Sequence, residues 1–162
     1  MLPSLARLSS TVGYDYVKGR WDFEKLKVLL KAGADPNERF GTYEETALME
    51  AAKAEDVEAV KLLLSYRAKV DIQDLNGNTA LIWAVGKGNV EIVKLLLSYG
   101  ANVDIRGIYD RTALIKAVID SNVEIVTLLL LLLLLLLPMS TTQAANTEGT
   151  LHSTLYYRTC TF

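Results

Sequence analysis

Chemistry in this chain would have to come from very few side chains. His152 is the only histidine and Cys160 the only cysteine in 162 residues. A cysteine near a histidine is the pairing that makes a thiolate nucleophile, but nothing around these two supplies an orienting context, and both read as incidental tail residues. A metal cluster needs several ligands at set spacing, which one cysteine and one histidine cannot supply. The segment "GKGN" (Gly86 to Asn89) contains Gly-Lys but has neither the upstream glycine spacing nor the Ser/Thr of a phosphate loop, so it reads as a helix break. Paired carboxylates occur at Glu44/Glu45 and Glu55/Asp56, at turns and caps, where solvation or capping accounts for them. No catalytic constellation emerges. The chain is expected to be no enzyme and to carry no cofactor and no metal.

The elements that would position these residues have a bounded character. The length suits one domain with a real core, and 17 basic against 19 acidic side chains leave a net charge of −2. No segment has the basic excess of a phosphate-tracking protein, so nucleic acid is not expected as a partner. A single cysteine excludes an internal disulfide framework and fits a reducing compartment such as the cytoplasm. The opening "MLPSLARLSS" lacks a basic region followed by an apolar one and does not read as a secretory signal.

The chain repeats itself. "TALMEAAKAEDVEAVKLLLSYRAKVDI" begins at Thr46, "TALIWAVGKGNVEIVKLLLSYGANVDI" at Thr79 and "TALIKAVIDSNVEIVTLLL" at Thr112, a period of 33 with no gap. "DFEKLKVLLKAGADPN" (Asp22 to Asn37) matches the second half of the unit. In the middle copy, Thr79 caps a first helix whose Leu81, Ala84 and Val85 share one face. Asn89 caps a second helix, in which Ile92, Val93, Leu95, Leu96 and Leu97 form a broad apolar stripe. Glu91 and Lys94 mark its solvated side. Gly100 ends that helix, and Asn76-Gly77 makes a turn before the next start. Each unit therefore reads as helix, tight turn, helix, projecting turn.

This pattern resembles the ankyrin repeat over roughly residues 22–130, most closely in "NGNTALIWAVGKGNVEIVKLLLSYGANVDI". Ala47, Ala80 and Ala113 replace the proline of the family's Thr-Pro-Leu-His start, and Met49, Ile82 and Ile115 replace its histidine. Arg67 stands where Gly33 and Gly100 close other helices, and Asp110 where Gly77 makes its turn, each at a cost of about 1 kcal/mol. The resemblance implies an all-α solenoid. Its expected divisions are a degenerate N-terminal cap or first helix (1–21), a partial repeat (22–40), repeats over 41–73 and 74–106, a third with an expanded leucine run (107–137), and a degenerate tail (138–162). Within the cap, "TVGYDYVKG" (Thr11 to Gly19) is the candidate helix, with Val12, Tyr16 and Val17 turned to the next repeat.

Ten consecutive leucines, Leu128 to Leu137, occupy the place where earlier copies end in three. They read as a second helix of the repeat, stretched by an inserted tract. Downstream, "NTEGTLH" (Asn146 to His152) resembles the opening turn of a decayed fourth repeat. Ile125 to Leu137 would span about 20 Å as a helix, short of the ~30 Å hydrocarbon core, so a membrane span is not expected. A helix end apolar all round is a liability unless covered. The chain is expected to be a monomer unless this run drives association.

What the resemblance implies for function is a non-catalytic module that binds an unidentified protein partner through turn tips and a concave palm of first helices. The tips are Tyr43 and Glu45, then Leu75, Asn76 and Asn78, then Ile108, Tyr109 and Arg111. The palm carries Glu50 and Lys53, Trp83 and Lys87, then Lys116 and Asp120. Trp83 reads either as an interface anchor or as packing across the seam between repeats. Two other readings stand beside this one: a decayed repeat fragment without present function, and a membrane-associated adaptor using the leucine helix. Such repeats also occur in effectors that intracellular bacteria deliver into host cells.

Overall fold

The computed structural model describes residues 14–15 and 20–136. The tail beyond, with His152, Cys160 and the expected fourth repeat, lies outside the described residues. Seven helices follow one another among the described residues: α1 (Phe23–Lys31), α2 (Ala47–Lys53), α3 (Val57–Ser65), α4 (Ala80–Lys87), α5 (Val90–Ser98), α6 (Ala113–Ile119) and α7 (Val123–Leu136). The pairs α2/α3, α4/α5 and α6/α7 are the three copies of the unit. Each first helix packs on the next first helix, and each second helix on the next second helix.

The helix starts are set by local chemistry. Thr46, Thr79 and Thr112 hold extended backbone, and their hydroxyls accept from the N–H groups of Met49, Ile82 and Ile115. The second helices use Asp56, Asn89 and Asn122, whose side-chain oxygens accept from Ala59, Ile92 and Ile125. Leu48, Met49, Leu63, Leu81, Val85, Ile92, Leu96, Ile125 and Leu129 are buried essentially completely and join one continuous core along the stack.

The connecting loops are stacked as well. Asn37 accepts from the Lys69 N–H at 2.7 Å, and one repeat later Asp71 accepts from the Asn102 N–H at 2.9 Å. On the convex face, Lys61 bridges Glu58 of its own helix and Glu91 of the next at 3.2 and 3.3 Å, and Lys94 reaches Glu124 at 3.6 Å. The sequence pattern marks Glu91 and Lys94 as one helix's solvated face. Their ion pairs in fact run between repeats.

The N-terminal expectation needs correction. No helix forms at Tyr14–Asp15: this two-residue strand, β1, pairs antiparallel with β2 (Arg20–Trp21). Tyr14 is of a residue type that favours extended backbone, and the rest of the candidate helix lies outside the described residues. A second short ribbon, β3 (Arg39–Phe40) with β4 (Glu45–Thr46), forms the first projecting turn.

The leucine run continues α7 to 14 residues, against nine each for α3 and α5. Leu129 is buried, whereas Leu131, Leu134 and Leu135 are exposed. No helix among the described residues is long and apolar enough to cross a membrane.

Among the described residues, the last unit leaves its leading face exposed. Ile82 and Val85 are 7% and 0% exposed, but their counterparts 33 residues on, Ile115 and Val118, are 44% and 58% exposed. The residue types are alike. What differs is that α6 packs beyond α4, whereas among the described residues no further first helix packs beyond α6.

Candidate functional site

The expected tip and palm residues divide into two groups and a few exposed outliers. The first group belongs to the seam between α2 and α4. Lys53 donates to Glu45 at 2.8 Å and to Glu50 at 2.6 Å, while its ammonium lies 4.9 Å from the centre of the Trp83 ring. Burial and a hydrogen bond with Glu50 push the Glu45 carboxyl above its ordinary range, and Lys53 opposes them only in part. For Lys53, burial works to lower the pKa, but the hydrogen bonds to Glu45 and Glu50 prevail and raise it. Glu50, expected on the open palm, is only 8% exposed. Its place is inside this network, because Lys53 folds over it toward Trp83.

Trp83 is itself spoken for. Its indole N–H donates to Asp74 Oδ2 at 3.1 Å, and Asp74 Oδ1 accepts from the backbone of Asn76 and Asn78 at 2.9 and 2.8 Å. Asp74 is a buried acceptor hub that fixes turn and palm together, a role the sequence pattern does not reveal. Trp83 therefore spans the seam between repeats, with its ring half-buried.

The second group surrounds a cavity of about 300 Å³ between the second and third units. Ile82, Trp83 and Ile108 make its apolar walls, and Asn76 and Asn78 stand at the turn side. Lys87, Arg111 and Lys116 bring three cations to its lining, which holds no carboxylate. Arg111 lies 5.0 Å from the Tyr109 ring centre, and Lys116 pairs with Asp120 at 2.6 Å. Asn78, expected at an open tip, is 4% exposed instead. It is buried because its Oδ1 accepts the Ile108 N–H at 3.2 Å across the repeat boundary. Gly107 permits that approach, since an added Cβ there would collide with Asn78 and press on Ile82.

Two lining residues escape a sequence reading of tips and palm: Ile82 and Gly86. The signal for Gly86 lies in the repeat itself. Lys53 and Ile119 occupy the equivalent positions on either side, so the missing side chain at Gly86 is what opens the cavity. An added Cβ would sit 3.2 Å from the flexible end of Lys116.

Of the remaining expected site residues, Tyr43, Leu75 and Tyr109 are exposed at 54%, 62% and 77%. Tyr43 and Leu75 are tied through the backbone, the Leu75 N–H donating to the Tyr43 carbonyl at 2.9 Å. The third tip is strained: Tyr109 and Asp110 both have φ of 59°, a left-handed geometry that the second tip assigns to Gly77. Among the described residues, no group of three or more His, Cys, Asp or Glu side chains is placed to hold a metal ion.

The family model described as Ankyrin repeats (3 copies) matches residues 17–107 and 71–132, and so covers more than half of the chain. No curated protein matches it.

Proposed function

Since the chain belongs to the ankyrin-repeat family, whose repeats are generally protein–protein interaction modules, we propose that it is a non-catalytic binding module working through its turn tips and concave face. The observation that carries this reading is the set of apolar and aromatic side chains left exposed at the tips, Tyr43, Leu75, Ile108 and Tyr109, beside an open apolar cavity. Solvent alone favours polar residues at such turns, and large exposed apolar groups beside a concavity are what a partner surface covers. The repeats supply rigidity: tips held by backbone bonds and by Asp74 present these side chains with little entropy left to lose on binding.

The test is affinity capture with the full chain and with a Leu75→Ala/Tyr109→Ala double variant. Neither side chain is part of the core, so the variant should keep its circular dichroism spectrum and melting temperature. The partner should be lost or strongly depleted. A partner retained at the wild-type level would place binding on another face.

A further inference from the structure

We propose that the cavity between the second and third repeats takes an acidic peptide segment of a partner protein, with one apolar side chain seated in the cavity and flanking Asp or Glu carboxylates on its cationic rim. This rests on the reading of the concave face as the binding face.

Three features of the site point the same way. First, charge: the chain carries a net −2, yet the cavity lining has Lys87, Arg111 and Lys116 and no acid. The nearby carboxylates are already engaged. Asp120 is held by Lys116, Asp110 by Arg106, and Asp74 by Trp83 and two backbone N–H groups. Lys87 pairs with no carboxylate among the described residues, and Arg111 faces only the Tyr109 ring. A negative group arriving here meets two cations with no competing acid in place.

Second, shape. About 300 Å³ walled by Ile82, Trp83 and Ile108 is at the small end of binding pockets, enough for a single apolar side chain rather than a cofactor. Third, hydrogen bonding. Asn78 lines the cavity, is 4% exposed, and uses its Oδ1 on the Ile108 N–H, while its amide donor meets no acceptor among the described residues. A peptide carbonyl supplies that acceptor. An acidic, extended segment with an apolar anchor satisfies all three at once. A basic or purely apolar segment leaves the cationic rim unanswered.

The probe is a phage library of random dodecapeptides, selected on the full 162-residue chain, with the enriched sequences made as fluorescent peptides. Enrichment of peptides having Asp or Glu beside a large apolar residue is expected. Their affinity should fall by about tenfold or more in Lys87→Glu and again in Arg111→Glu, and should weaken steeply with added salt. Gly86→Ile, which installs the side chain of the following repeat, fills the cavity without changing any charge and should also abolish binding. Circular dichroism confirms that each variant remains folded. A Lys94→Glu variant on the convex face should bind normally.

Enriched peptides that lack an acidic excess, yet still lose binding in Leu75→Ala/Tyr109→Ala, would overturn the acidic-segment inference and leave the concave-face reading standing. Peptides unaffected by both sets of variants would overturn both. Failure to enrich any peptide would overturn the inference alone, as would a thymidine oligonucleotide that binds the rim as tightly as the best peptide.

Discussion

Val85 and Val118 occupy the same position of successive repeats, so one substitution made at both isolates what burial of that position contributes. Val85 is 0% exposed and Val118 is 58% exposed. Val→Ala removes two carbon atoms, a transfer loss of about 1.6 kcal/mol when fully buried. The void left in a packed interior adds roughly 1 kcal/mol more. Alanine's better helix propensity returns about 0.5 kcal/mol at either site. Val85→Ala should therefore cost about 2 kcal/mol. At Val118 the transfer loss shrinks to about 0.7 kcal/mol, no enclosed void forms, and the same propensity gain leaves a net change near 0.2 kcal/mol. Urea unfolding followed by far-ultraviolet circular dichroism measures both, provided the slopes agree. Equal losses at the two sites would refute the reasoning, for they would mean that the face of α6 is covered in solution.

Gly86→Ala should stabilise the chain by about 0.5–1 kcal/mol, because α4 gains helix propensity and only the flexible end of Lys116 must give way; a destabilisation in urea would contradict this. Asp74→Ala removes the acceptor of two backbone N–H groups and the Trp83 indole, and should cost roughly 2–4 kcal/mol, read as a lowered urea midpoint with red-shifted tryptophan emission. The Lys53 network has a pH signature. Its raised folded pKa contributes stability that is present below the ordinary lysine value of 10.5 and lost as pH rises through the folded value, so the stability difference between wild type and Lys53→Met should shrink in that alkaline window. Glu45 acts in the same sense, in an acidic window. Its raised folded pKa favours the folded state as pH falls toward 4.5, and Glu45→Gln should remove that gain. Leu131→Glu, Leu134→Glu and Leu135→Glu change exposed positions of α7; together they should lower light scattering with little change in melting temperature, and unchanged scattering would absolve the leucine run.

Much of the fold was legible because the repeat states each signal several times. The threonine caps, the Asp/Asn caps and the buried leucines recur at a spacing of 33, and each copy corroborates the others. The N-terminal segment has no second copy, and there Tyr14–Asp15 pairs as a strand where a helix was expected. The open face of α6 was equally hidden, since Ile115 and Val118 look in sequence like their buried counterparts. Position in the repeat located tips and palm. It did not separate exposed Tyr109 from buried Asn78, because burial there depends on a hydrogen bond to the next repeat. The cavity was missed for a related reason: it comes from an absent side chain at Gly86, and its significance appears only by comparison with Lys53 and Ile119.

The central claim is that partners meet the concave face, and site-specific photo-crosslinking tests it most directly. A photoreactive amino acid placed at Lys87, on the cavity rim, and separately at Lys94, on the convex helix α5, compares the two faces in one otherwise identical chain. The expected result is a protein adduct from position 87, suppressed by Leu75→Ala/Tyr109→Ala, and none from position 94. Adducts from position 94 alone, or equally from both, would contradict the account.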